Sequence, residues 1–419
     1  MTTPLRTFVM GLFLLGASSA QFLTDSGSAF AAEEVAANPD TVRAEVGKPL
    51  KEAQELTTAK QYKEALAKID EADAVPAKTP YESYVIARNR GAVAFAGGDV
   101  DLAARSFAAA IAFNRLSTAE VLDISHSLAV HFYNRPDHAN AIVWATRYVE
   151  MAGPDPQIKA LLAQSYYLKN DCASAAALLQ KFSRDDDAKG RVTPETQLQL
   201  WANCELKLKH NAELVTALER LVTHYPKKNY WANLVRQIQA NPAFSERLAL
   251  DAYRLQFNAG AIDTPEECLD MVALAMQSGF PAEAKKVLDQ CLAEKLLGSA
   301  ATDVKVKKSQ EQVNKGLADD MKSLGQDEQR AAAAKTGVTP VNIGFNFVLH
   351  GQYDKGIALI EQGIAKGGLK NPEDAKLKLA VAYLYAGQKD KAMQAFKSIG
   401  GSDGSEVLAR LWLLRMKQG

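Results

Sequence analysis

The feature that most constrains this 419-residue chain is a pattern of small, apolar and aromatic residues that returns about every 34 to 39 residues. Ser127 to Tyr148 reads small–Leu–Ala, an aromatic three residues after the Ala, then Ala, Ala and Tyr. Leu161 to Phe182 repeats it, and Asn342 to Gly363 and Leu377 to Ile399 repeat it with glycines restored. Within each stretch apolar residues recur at three- and four-residue intervals, the mark of an amphipathic helix. Each stretch holds two such runs separated by a turn. A hairpin of two helices cannot bury its apolar face alone, whereas a stack of hairpins can, so a period of this length dictates stacked units rather than one globular core. No segment shows the alternation of a strand. The expected fold class is all-α, a solenoid of antiparallel helix hairpins.

The units follow one another with clear punctuation. Lys51–Leu56 and Tyr62–Ala72 form the first pair, and Pro76 and Pro80 end it. Tyr84–Ala96 and Leu102–Phe113 flank the turn Gly97-Gly98-Asp99, and Glu120–Tyr133 and Ala139–Met151 flank Arg135-Pro136-Asp137. Pro154 and Pro156 open the fourth unit, at a place where a missing N–H costs least. From 185 to 338 the register is poor, and the charged run from Lys305 to Arg330 reads as one or two long solvated helices. Thr339-Pro340 starts two good hairpins, and the apolar residues Leu408, Leu411, Trp412 and Leu414 mark a terminal helix that covers the last exposed face. The expected segments are a leader over 1–31, N-terminal repeats over 32–184, a divergent helical region over 185–338, and C-terminal repeats with a capping helix over 339–419.

The pattern resembles the tetratricopeptide repeat, in which L-G-x2-Y on the first helix is followed by A-x3-F on the second. Ile343-Gly344 and Phe347 match the first part, with Gly351 at the turn, Gly356 at the small position and Ile360 after it. Leu379-Ala380, Tyr383, Gly387, Ala392 and Phe396 take the same places 36 residues on. Leu128-Ala129, Phe132, Ala141 and Ala145 are repeated 34 residues later by Leu162-Ala163, Tyr166, Ala175 and Leu179. The resemblance implies a right-handed superhelical solenoid whose concave face binds a peptide segment or a protein domain. Some family members hold a C-terminal carboxylate with Asn and Lys on the first helix. Asn89 and Asn342 lie at that phase, but the matching asparagine of an adjacent repeat is missing, so no such clamp is expected.

Residue chemistry adds little to this. Lys+Arg and Asp+Glu both number 49, so the chain lacks the basic excess of a nucleic-acid binder. His126, His131 and His138 cluster in sequence, but the five-residue gap from His126 to His131 does not set two imidazoles on one helix face as a three- or four-residue gap would. No H-E-x-x-H, nucleophile elbow or phosphate-binding glycine loop occurs. No cofactor, metal or catalytic site is expected, and the chain does not read as an enzyme. The four cysteines form no C-x-x-C. Cys268 and Cys291 fall near facing positions of one hairpin, which leaves a disulfide and a pair of small buried thiols both open. Tyr166-Tyr167, Tyr225, Tyr230-Trp231 and Phe345/Phe347 supply more rings than helix seams need, and a groove-facing tyrosine is a good anchor for a peptide. The candidate partner-contact residues are Asn89, Tyr167, Tyr230, Asn342 and Asn346.

The first residues bear on compartment. Arg6 precedes a nearly apolar run from Phe8 to Ala20, Ala29-Phe30-Ala31 has the A-x-A form of a processing site, and Glu33-Glu34 follow. The run falls short of the about 20 residues a spanning helix needs, and no later segment is apolar enough to span. The expectation is an exported, periplasmic chain cleaved after Ala31. The expected function is a scaffold or adaptor for a protein or peptide partner, accessory to a TonB-type energy-transduction system or to envelope assembly. The alternative is an envelope ligand-binding protein or enzyme with a site in 185–338. Partner identity and oligomeric state stay open.

Overall fold

The structure, a computed structural model, describes residues 40–298 and 303–418, and in these there are twenty α-helices and no strand. The expected leader over 1–31 lies outside the described residues. The chain divides after Ala175 into two compact units.

Unit 1 contains α1 (Ala44–Thr58), α2 (Tyr62–Asp73), α3 (Pro80–Ala96), α4 (Val100–Ala112), α5 (Thr118–Asn134), α6 (His138–Glu150) and α7 (Pro156–Leu168). The helix α8 (Cys172–Ala188) crosses the division. Helices pair as α1/α2, α3/α4 and α5/α6. The turns inside the pairs are built alike. Lys60, Gly98 and Asn170 adopt left-handed φ values of 61°, 84° and 61°, which reverse the chain in the fewest residues. In three of the turns an aspartate then caps the returning helix: Asp99 accepts from the Leu102 N–H at 3.0 Å, Asp137 from Asn140 at 3.2 Å and Asp171 from Ser174 at 3.0 Å, whereas Gln61 before α2 makes no side-chain cap. Capping boxes start α3 and α5, with Thr79 and Glu82 in one and Ser117 and Glu120 in the other. Gly91 lets α3 approach α4, because a Cβ there would stand 2.8 Å from the Phe107 ring.

Glu82 does more than cap. It is fully buried, and Arg43 donates to it from Nε at 2.8 Å, from Nη2 at 2.9 Å and from its backbone N–H at 3.0 Å. The Arg43 guanidinium, working against the cost of burial, holds the Glu82 carboxyl down at about 2, below its usual 4.5. A carboxyl depressed by folding contributes its stability fully above its unfolded value and loses it as the pH falls through its folded one. Unit 1 is therefore expected to lose stability between about pH 4.5 and about pH 2. Glu82→Gln is expected to flatten that part of the acid slope and to speed exchange at neutral pH. Hydrogen exchange of the α3 amides against pH checks both, and a slope unchanged by the substitution would assign the acid sensitivity to other carboxyls.

Unit 2 continues with α9 (Glu195–Leu208), α10 (Asn211–His224), α11 (Lys228–Gln239), α12 (Ala249–Asn258), α13 (Pro265–Gln277) and α14 (Pro281–Ala293). It ends with α15 (Val304–Ala333), α16 (Val338–Leu349), α17 (Tyr353–Lys366), α18 (Pro372–Tyr385), α19 (Lys389–Lys397) and α20 (Ser405–Lys417). The charged run of the divergent region is one helix, α15, of 30 residues. It buries Val306, Val313, Asp327 and Ala331, a stripe at about seven-residue spacing that leaves most of its surface in water. Helices α16 and α17 approach closely. A Cβ at Gly344 would meet the Gly356 carbonyl oxygen at 2.6 Å, and one at Gly363 would meet the Gly337 carbonyl oxygen at 2.7 Å.

Cys268 and Cys291 join α13 to α14 through a disulfide, with Cα atoms 6.4 Å apart and a sequence separation of 23. Closing a loop of that length stabilises by about 3 kcal/mol through the unfolded chain. Reduction, or Cys268→Ser with Cys291→Ser, is expected to cost about that much in unit 2. Chemical denaturation with and without reductant measures it, and coincident curves would show that the bridge contributes nothing.

The end of unit 2 returns to its beginning. In α20, Leu408, Ala409, Leu411 and Trp412 are buried, and Trp412 stacks on Phe396 of α19 with centroids 5.7 Å apart. The same helix packs on α12. Arg410 pairs with Glu219 of α10, Gln418 donates to the Val222 carbonyl at 2.6 Å, and Arg415 donates to the Asn258 carbonyl at 3.2 Å. Arg247, just before α12, holds Asp374 of α18 at 2.9 Å and also pairs with Asp403. Hydrogen bonds from Ser405 and the Arg247 guanidinium hold the Asp403 carboxyl at about 2. The terminal helix thus covers the last hairpin and also closes a circuit from α12 round to α20. Segments 185–338 and 339–419 lie in one compact unit, joined by these contacts.

Candidate binding surfaces

In unit 1 the repeat geometry sets one position of each first helix in register. The residue three before each turn residue is Thr57 in α1, Phe95 in α3, Tyr133 in α5 and Tyr167 in α7. Equivalent positions of stacked hairpins share a face, so these three rings form a ladder across unit 1. All three are half-buried. The Phe95 ring meets His131 edge-on with centroids 4.9 Å apart, and Tyr133 leans on His138 at 5.7 Å. Burial pushes the Tyr133 hydroxyl up, which keeps it neutral. Leu168, next to Tyr167, is 48% exposed. Arg88 and Glu120 pair at 2.8 Å from α3 to α5. Sequence reasoning named Tyr167 here but missed Phe95 and Tyr133, although their common offset from the turns was readable.

At the same offset in unit 2, Leu206 is 56% exposed, whereas Val348 is buried and Met276 lies against Gly316 of α15. Of these, Val348 is covered by the unit's own helices, and Met276 is half-buried.

The other candidates fare differently. Asn89 is half-buried and donates its amide to the Val85 carbonyl of its own helix at 2.9 Å. Asn342 is exposed. Tyr230 and Asn346 are corrections, because both are buried and engaged within the chain. The Tyr230 hydroxyl is held by Glu195 and Gln199. Asn346 donates to Asp320 of α15 at 2.8 Å, and His350 meets the other oxygen of that carboxylate at 2.6 Å. Helical phase alone does not reveal that a later helix will cover a polar position.

The interior of unit 2 holds a charged cluster that local patterns do not announce. Arg254 of α12 is buried, 2.8 and 2.7 Å from the two oxygens of Glu283 and 2.7 Å from Asp251. The Phe280 and Phe345 rings bracket the guanidinium at 5.3 and 4.6 Å. Burial opposes the charge on Arg254, but Glu283 and Asp251 outweigh it and raise its pKa. Burial, then the nearby Glu283 charge, push the Tyr385 hydroxyl far up. Among the described residues no group of three or more His, Cys, Asp or Glu is arranged to hold a metal, and no helix is long and apolar enough to cross a membrane.

A family model for the tetratricopeptide repeat matches residues 374–401, which cover α18 and α19. That hairpin is similar to a tetratricopeptide repeat. The match spans one hairpin; left-handed turn residues recur at Lys60, Gly98, Gly279 and Gly351, and glycines at a close helix approach recur at Gly91 and Gly344. Among solved structures, the chain is similar to a tetratricopeptide repeat protein from Parabacteroides merdae, at 13% identity over 71% of this chain and 99% of that one, with a TM-score of 0.28. It is also similar to the TPR2AB domain of yeast Sti1 in a pHSP90 complex, at 12% identity over 71% and 99%, with a TM-score of 0.25. A third is yeast Tom70, at 11% identity over 89% and 96%, with a TM-score of 0.24. No curated protein matches. Stacked helix hairpins present extended surfaces of the kind that bind partners.

Proposed function

We propose that this chain is a periplasmic adaptor of the tetratricopeptide-repeat kind that binds a protein or peptide partner on the ladder face of unit 1. The observation that carries the reading is the register of Phe95, Tyr133 and Tyr167, three half-buried rings at one position of successive hairpins. Aromatic side chains that are already partly packed lose little freedom on binding and supply large contact areas, which makes them binding hot spots. Leu168, next to Tyr167 in sequence, adds an exposed apolar side chain. The leader-like segment ending at Ala31 and the Cys268–Cys291 bridge support an oxidising compartment outside the cytoplasm. The adaptor role is accessory to a TonB-type system or to envelope assembly.

A photo-crosslinking residue at position 133, in cells carrying the full chain, tests the reading. The expected result is one stoichiometric partner, captured by the otherwise wild-type chain and lost when Phe95→Ala and Tyr167→Ala are added, in a periplasmic fraction whose protein begins at residue 32. Each alanine is expected to weaken binding by about 1 to 2 kcal/mol. Capture unaffected by the two substitutions would remove the ladder as the site. A product that keeps its first residues in the cytoplasmic fraction would remove the compartment.

A further inference from the structure

Unit 2 contains a cleft of about 150 Å³ lined by residues of α12, α13, α14, α16, α17 and α18. Three rings line it, Phe257, Tyr353 and Tyr385, together with Met271, Glu283 and Lys286. The Lys286 ammonium stands 6.0 Å from the centroid of Phe257 and 5.5 Å from that of Tyr385. Lys286 is exposed, and among the described residues no carboxylate forms a salt bridge with it, unlike its neighbour Lys285, which binds Asp289.

The groups beside the cleft lean to one sign. Two carboxylates, Asp251 and Glu283, face the single guanidinium of Arg254, so carboxylates outnumber guanidinium groups in the buried cluster. Ring faces are also negative. Both fields favour a cation in the cleft, and the chain supplies one from its own surface. Lysine is a poor occupant, because its compact ammonium is strongly hydrated and its long stem keeps the head in water. A methylated ammonium sheds water at less cost and presents a larger surface to several rings. A cavity near 150 Å³ accepts a group of about six heavy atoms, and a trimethylammonium head has fewer.

We propose that this cleft is a binding site for a quaternary ammonium head group, with Lys286 as the built-in occupant that the ligand displaces. The proposal is independent of the partner reading of unit 1. It makes an opposed prediction for Lys286. If the lysine competes with the ligand, removing it strengthens binding; if it were a ligand contact, removing it would weaken binding.

Choline is the probe, titrated into the full chain at constant ionic strength, with the Met271 methyl resonance as the readout. The uncharged isostere 3,3-dimethylbutan-1-ol is the control. The expected result is a saturable shift with choline, at least tenfold weaker binding of the alcohol, and at least fivefold tighter choline binding in Lys286→Ala. Lys286 is exposed, so this variant is expected to melt as the parent does. Tyr385→Phe, which keeps the ring, is expected to retain binding. Equal affinity for the alcohol, weaker choline binding in Lys286→Ala, or no saturable shift in either protein would each overturn the proposal.

Discussion

Arg254→Ala is expected to lower the stability of unit 2 by about 4 kcal/mol, because it leaves two buried carboxylates without their common partner. Asp251 and Glu283 are both nearly inaccessible to water, so neither charge can be resolvated in place. For a unit of this size the loss corresponds to a fall of about 10 °C in melting temperature. The companion expectation separates the pairing from the packing. Arg254→Met combined with Asp251→Asn and Glu283→Leu removes all three charges and keeps much of the volume between Phe280 and Phe345, so most of the loss is recovered. Calorimetry on the three proteins checks this. A triple variant no more stable than Arg254→Ala would show that the ion cluster itself, and not relief of stranded charge, holds the helices together.

Trp412→Ala is expected to cost about 4 kcal/mol, the usual price of emptying a fully buried indole site. The location of the damage is the informative part. Trp412 stacks on Phe396, but its helix also carries Arg410, Arg415 and Gln418 to α10 and α12. In a stack with a free end, the loss would stay in the last hairpin, because each repeat contacts only its neighbours. Here the amides of α10 to α12 are expected to exchange faster together with those of α18 and α19, although the first group ends at Asn258 and the second begins only at Pro372. Exchange confined to α18–α20 would mean that the return contacts add no stability.

The elements visible in the sequence were those with a local cause. A turn that needs a left-handed residue showed itself at Gly98, Gly351 and Gly387. A close helix approach showed itself at Gly344 and Gly356, where only hydrogen fits. The return of α20 to α10 had no such signature, since Arg410 and Glu219 are 191 residues apart and each looks like an ordinary solvated charge. Arg254 was equally silent, because an arginine at a helix surface and one between two phenylalanines read alike until the partner helices are placed. The misjudged site residues share this cause. Tyr230 and Asn346 sit on apolar-rich helices where several faces are covered, and the covering groups come from other segments, Glu195 and Asp320. Phe95 and Tyr133 were missed for a different reason: their meaning lies in the offset from the turn, which becomes visible only when the hairpins are aligned with one another.

The closed circuit of unit 2 has a consequence for how a chain of this kind can change its length. An open stack gains or loses a hairpin by duplication or deletion with little effect on the rest, since the new neighbour is built like the old one. Between Arg247 and Asp374 that freedom is absent. One additional hairpin there would rotate and displace α18 relative to α12, and the clasp through Arg247, Asp374 and Asp403 could no longer form. Copy number in unit 2 is therefore a fixed property of its architecture. Chains descended from the same ancestor are expected to vary in repeat number on the N-terminal side of α9 and to hold the α10–α20 count constant.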